Sequence, residues 1–215
     1  MNNLLYKEIK LALHPTIYFF VVFGVLLLIP SWPYFIAFGY LFIGFMNTFM
    51  NDKSTHDTFF TATLPVPKRD VVRARVYALA GAEILQIVVA VPFAFLNTLI
   101  NPHGNLAGMN PNIAFLGFVF GMYAVFNAVF FPLFYRTAYK PGIPILLGTL
   151  ASVLFAAVVE VAVHTVPFLT THINAVGVGH AGSQLAVLCV CILVFFLTTG
   201  LACRRAADTF ERVDL

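Results

Sequence analysis

Long apolar runs alternate along this chain with short polar breaks, and the breaks are of two kinds. One kind carries Lys and Arg; the other carries Pro, Gly, Asn and His and no charge at all. The runs predict membrane-crossing helices over about 16–29, 32–50, 76–100, 113–135, 143–166 and 184–203, most of them close to the roughly 20 residues that hydrocarbon requires. The first is short, and needs residues from either end or a locally thinner bilayer. Ahead of it, Leu5, Ile9 and Ala12 share one helical face and Lys7, Glu8 and Lys10 point away. That spacing predicts an amphipathic interfacial helix over 1–14. A signal peptide is the rival reading of this end, but the run closes on Pro30-Ser31-Trp32-Pro33 with no small-x-small cleavage pattern, so it reads as a retained span. Trp32 and Tyr34 stand where an aromatic belt belongs.

Composition agrees. With 60% hydrophobic residues, 10% charged and a mean hydropathy of +0.91, the chain lies far outside soluble composition. The expectation is an all-α integral membrane protein, residues 1–215 forming one transmembrane domain with a polar tail at 204–215. A net charge of +3 would suit nucleic acid as a partner, yet all 12 Lys and Arg residues fall in the N-terminal helix, the 51–75 loop, the 136–140 turn or the tail. Six crossings put those four segments on one face, and the positive-inside rule makes that face cytoplasmic. The expected place is the cell membrane, multi-pass, with both termini cytoplasmic, the lipid bilayer as surroundings and no nucleic acid as partner.

Catalytic signatures are absent. The chain has no G-x-x-x-x-G-K-[ST] loop, no H-E-x-x-H and no G-x-S-x-G. Cys189 and Cys191 diverge on a helix and Cys203 is more than two turns further on, so they read as small apolar residues. His103, His172 and His180 have no carboxylate neighbours and read as loop histidines. No metal or cofactor is expected on this chain, and no enzymatic activity. Intramembrane polar residues carry more information, because a carboxylate within a span needs a proton, a partner or water. Glu83 can bond to Gln86 at i, i+3 or to a neighbouring helix, and Glu160 can pair with His164 at i, i+4. Helix glue and a proton or substrate path both remain open for these residues. Gly117 and Gly121 form a G-x-x-x-G that suits a close helix approach.

One polar stretch, 51–75, is long. Its first half sets Phe59, Phe60 and Leu64 among Ser, Thr and Asp, and its second carries Lys68, Arg69, Arg73 and Arg75 as a cytoplasmic basic surface. Pro65 and Pro67 break any helix between the halves. A short helix, capped by Asp52 or Ser54 and showing adjacent aromatics to water, reads as a docking element.

The residues Asn51-Asp52, Asp57 and Thr63-Leu64-Pro65-Val66-Pro67-Lys68-Arg69-Asp70-Val71-Val72-Arg73-Ala74-Arg75 resemble the ABC-2-type permease subunits of bacterial ABC transporters. Many of these carry a similar Leu-Pro-Val-Ser-Arg stretch before the third span; here Pro67 stands where Ser is frequent. The likeness extends to the N-terminal helix, the six spans and an outer segment before the last span that in the family often forms short re-entrant helices. It implies a non-catalytic permease that pairs with a second copy or a homologue and binds separate ABC ATPase subunits, which hold the ATP and Mg. Thr55 to Leu64 would be the coupling helix, with Asp57, Phe59, Phe60 and Leu64 at the ATPase. Most members with this layout export, and the 24 Phe residues suit a hydrophobic or amphipathic cargo such as a peptide, lipid or drug-like molecule, although aromatics also fill helix packing. Two other classes remain: a proton-coupled secondary carrier using Glu83 or Glu160, and the membrane substrate-binding subunit of a vitamin-type importer.

The partition of cations generates a direct test. In a background with Cys189, Cys191 and Cys203 replaced by Ala, an impermeant thiol reagent applied to sealed cells should label Asn105→Cys and spare Thr55→Cys. Labelling of position 55 would overturn the topology.

Overall fold

The computed structural model describes residues 2–63, 65–137, 140–176 and 179–212, with backbone alone for 2, 58, 59 and 62. The chain is all-helical, with no strand among the described residues. Four helices are long and apolar enough to cross a membrane: α6 (Lys68–Ile100), α7 (Ile113–Arg136), α8 (Gly142–Thr165) and α9 (Ala181–Glu211). Before them come α1 (Asn2–Lys7), α2 (Thr16–Val21), α3 (Phe35–Gly39), α4 (Leu41–Thr55) and α5 (Asp57–Thr63). α6 has 33 residues and is roughly 50 Å long at 1.5 Å per residue, well beyond a hydrocarbon slab. Its basic first turns therefore stand outside the apolar layer.

The first third of the chain is irregular. α1 passes into a π-helix at Glu8–Ala12, closed by the Leu13 N–H donating to the Glu8 carbonyl. The segment Asn3–Ala12 meets Thr16–Leu28 at 86°; the pair is apolar enough to count as a broken fifth crossing. Within it α2 gives way to a 3-10 helix at Val22–Leu28. A 3-10 helix rises about 2.0 Å per residue, so 16–28 reaches roughly 23 Å where an α-helix would give about 20. The next apolar run is broken at Tyr40, between α3 and α4.

These breaks release carbonyls that lipid leaves unsatisfied. Amide side chains of α6 meet them. Gln86 Nε2 donates to the carbonyls of Phe20 at 3.0 Å and Ala37 at 3.2 Å, and Tyr123 Oη donates to Gln86 Oε1. Asn97 Nδ2 donates to the Leu27 carbonyl at 2.6 Å and to Tyr34 Oη at 2.9 Å. Close backbone approach completes the contact: a Cβ on Gly24 would lie 2.7 Å from the Ala90 Cα.

α7 is the centre, buried along most of its length between α8 and α9. Its G-x-x-x-G works within the chain: a Cβ on Gly117 would meet the Leu188 Cα of α9 at 2.8 Å, and one on Gly121 the Phe155 ring of α8. Against α4 the contact is made by rings, with Phe42 stacked on Phe126 at 4.1 Å and Phe49 against Phe130 and Phe134. Much of the Phe content is thus packing.

The two ends of the bundle differ in chemistry. At one, the loop after α6 is tied by asparagines to the turn after α8: Asn110 Nδ2 donates to the Asn174 carbonyl at 2.6 Å, and Asn112 Nδ2 to the Ile173 carbonyl at 2.7 Å. At the other end the charged residues collect, with Arg69 near the start of α6 joined to Asp208 and Glu211 at the end of α9.

Candidate functional site

At the charged end, α4 runs to Thr55, its last turn held by Ser54 Oγ and Thr55 Oγ1 donating to the Asn51 carbonyl. His56 then adopts a left-handed conformation, φ 53°, and stops the helix. α5 starts afresh at Asp57, whose carboxylate suits a helix N-terminus. The expectation that Asp52 or Ser54 caps this helix is therefore corrected: both lie inside α4, and the break falls at His56.

Asp57 is turned inward. Its Oδ2 accepts from Lys7 Nζ at 2.5 Å and from Arg75 Nη2 at 3.0 Å. Arg75 is 2% exposed and also reaches Asp52 Oδ1 at 3.5 Å, while its Nε and Nη2 fork onto the carboxylate of Glu8. Lys7 completes the node through Glu8 Oε1 at 3.2 Å and Thr61 Oγ1 at 2.9 Å. Three carboxylates and two cations from five elements thus meet at one largely buried point. Glu8, read from sequence as facing away from the apolar face, is 1% exposed. A buried acid is tolerable there because a bidentate guanidinium faces it.

Phe60 stands beside the node. It is 65% exposed and borders a pocket of about 240 Å³ shared with Asp52, Asp57 and Arg75. The side chain of Phe59, and Leu64 altogether, lie outside the described residues. Of the remaining basic positions, Arg69 bridges to Glu211 at 2.7 Å and Asp208 at 3.3 Å, Arg73 lies 3.5 Å from Asp70, and Lys68 is the first residue of α6. These surface pairs are each worth about 1 kcal/mol or less. The buried node is of another order.

The intramembrane candidates do not converge on it. Glu83 is fully buried and bonds to the neighbouring helix rather than to Gln86: Asn127 Nδ2 donates to Glu83 Oε2 at 2.8 Å and to Thr199 Oγ1 of α9 at 3.1 Å. Glu83 Oε1 and Asn127 Oδ1 are both buried without a hydrogen-bond partner. Glu160 lies 3.7 Å from His164, and a closer partner that sequence reading missed is the Met109 N–H, which donates to Glu160 Oε2 at 2.8 Å. Its carboxylate thereby pins the loop after α6. Among the described residues no three His, Cys, Asp or Glu side chains group as metal ligands.

A family model described as ABC-2 family transporter protein matches residues 3–203, which takes in the node, α5 and all four long helices. The chain belongs to the ABC-2 transporter family. No curated protein and no solved structure matches it. Membership makes it a multi-pass membrane protein of the permease type, and the ABC-2 permease is typically the non-catalytic membrane subunit.

Two substitutions separate the node from its surroundings. Arg75→Gln should cost about 3–5 kcal/mol, the penalty for stranding buried carboxylates, whereas Arg69→Gln should stay within about 1 kcal/mol; thermal denaturation in detergent reads the difference. At Glu83, Gln keeps the shape and exchanges one buried acceptor for a donor, so Glu83→Gln should melt with the wild type. Glu83→Ala leaves Asn127 one acceptor short and should lose about 1–3 kcal/mol. Equal losses for Gln and Ala would show that the charge itself holds the helices.

Proposed function

We propose that this chain is the transmembrane permease subunit of an ATP-driven exporter, coupled through α5 to separate ATPase subunits that carry the ATP and Mg. One observation carries the reading: an exposed Phe60 sits on a seven-residue helix whose Asp57 is bound to Lys7 and Arg75. An ATPase gripping Phe59 and Phe60 would drag Asp57, and Asp57 cannot lag behind α6 without breaking its partly buried ion pairs to Lys7 and Arg75. Moving α6 and the N-terminal helix with it costs less. Displacement at the surface is thereby passed to a span.

In this reading residues 16–28 and 35–55 are the first two of six crossings, α6 to α9 are the rest, residues 1–14 lie at the interface, and the charged end is cytoplasmic. The permease pairs with a second copy or a homologue. A groove of about 410 Å³ between the broken second crossing and α8, lined by Ile36, Tyr40, Ile43, Met46 and Val153, suits a hydrophobic or amphipathic cargo such as a peptide, lipid or drug-like molecule. Glu83 and Glu160 do not line it, which argues against a proton-coupled carrier. The outer asparagines are spent on one another, which argues against an importer's recognition subunit.

The test is recovery of the ATPase with a Phe59→Ala, Phe60→Ala permease at matched expression. Truncating such an anchor commonly costs on the order of 2 kcal/mol, about thirtyfold in affinity, so the copurifying ATPase should be lost while the permease still inserts. Unchanged recovery with unchanged transport would remove the docking assignment.

A further inference from the structure

The charged end holds a second feature that the node does not use. Where α7 and α9 leave the apolar layer they flank a cavity of about 520 Å³ lined by Pro132, Arg136, Arg205, Asp208, Thr209 and Arg212. Among the described residues, the guanidinium groups of Arg136, Arg205 and Arg212 have neither an ion pair nor a hydrogen bond. The acids nearby are engaged elsewhere: Arg69 reaches across from α6 to hold Asp208 at 3.3 Å and Glu211 at 2.7 Å. Three arginines therefore face one cavity against a single, shared carboxylate.

What lies above the cavity decides its occupant. On α9, Leu197 and Leu201 precede Arg205 and Arg212 on one helical face, and they are 65% and 53% exposed. On α7, Val125, Ala128 and Val129 precede Pro132 and Arg136 on one face, none of them buried. An apolar stripe thus runs from the depth of the layer to a cationic cavity at its edge. That sequence of surfaces matches an acyl chain ending in a phosphate. Arginine suits the phosphate because its planar fork gives paired hydrogen bonds and sheds water more readily than an ammonium.

We propose that the α7–α9 cavity binds the headgroup phosphate of an anionic phospholipid from the leaflet at the charged end, with an acyl chain along Leu197 and Leu201. Basic pockets between transmembrane helices commonly hold such headgroups. The site is independent of α5, and it does not require the coupling mechanism above to be correct.

The experiment uses the purified full chain in detergent, with binding read by native mass spectrometry and by melting temperature. Phosphatidylglycerol should bind and raise the melting temperature; phosphatidylcholine of the same chain length should not. Glycerophosphoglycerol and inorganic phosphate test a free anion against a lipid, and equal stabilisation by either would overturn the proposal. Each of Arg136→Gln, Arg205→Gln and Arg212→Gln should weaken phosphatidylglycerol about fivefold, and the three together on the order of a hundredfold. Arg204→Gln is the control, because Arg204 is an exposed neighbour of equal charge outside the cavity lining. A loss at Arg204 as large as at Arg205 would mean a diffuse surface potential and would sink the site. So would a triple variant that keeps its lipid but loses the copurifying ATPase, since the cavity would then be a protein interface.

Discussion

A guanidinium buried to 2% exposure needs acceptors on several sides, and Arg75 finds them on three separate segments. Its fork on Glu8 sets where the N-terminal helix lies; its bonds to Asp52 and Asp57 set how α4 ends and where α5 begins. α4 is also held by its ring contacts with α7, but the two short helices have much less to rely on. α1 is six residues and α5 seven, too short to be stable as isolated helices. Ion pairs around a buried guanidinium do for them what side-chain packing does for α7.

Deeper in, the same principle applies with neutral groups. The first two apolar runs are not regular helices, and α6 makes them tolerable by lending Gln86 and Asn97 to their freed carbonyls. α6 is therefore both the piece that carries Arg75 at its charged end and the piece that fastens the irregular segments within the layer. A shift of α6 along or about its axis would be felt at Phe20, Leu27 and Ala37 through hydrogen bonds alone.

The all-helical class was legible because runs of twenty or more apolar residues have few other folded solutions. The break at Tyr40 was not, since no proline stands there and a single Gly39 is unremarkable in a span. Glu8 is more instructive. Its spacing from Leu5 and Ala12, three and four residues, puts it on their face, and only its charge argues for an outward position. Only a cation from 67 residues away makes the inward position acceptable, and no local pattern announces a partner at that distance. The same holds for Glu83, whose nearest polar neighbour in sequence is Gln86 but whose partner is Asn127. Phe60 was legible because an exposed aromatic in a polar stretch needs no partner to be noticed.

The 3-10 helix at Val22–Leu28 lengthens its segment without bringing it to the height of its neighbours, so the perimeter of this molecule is uneven. α7 and α8, with 24 residues each, span about 36 Å, against roughly 23 Å for 16–28. Lipids bordering the short segment must compress or tilt to cover it, while those along α8 need not. A bilayer fitted to both heights would be stepped rather than flat.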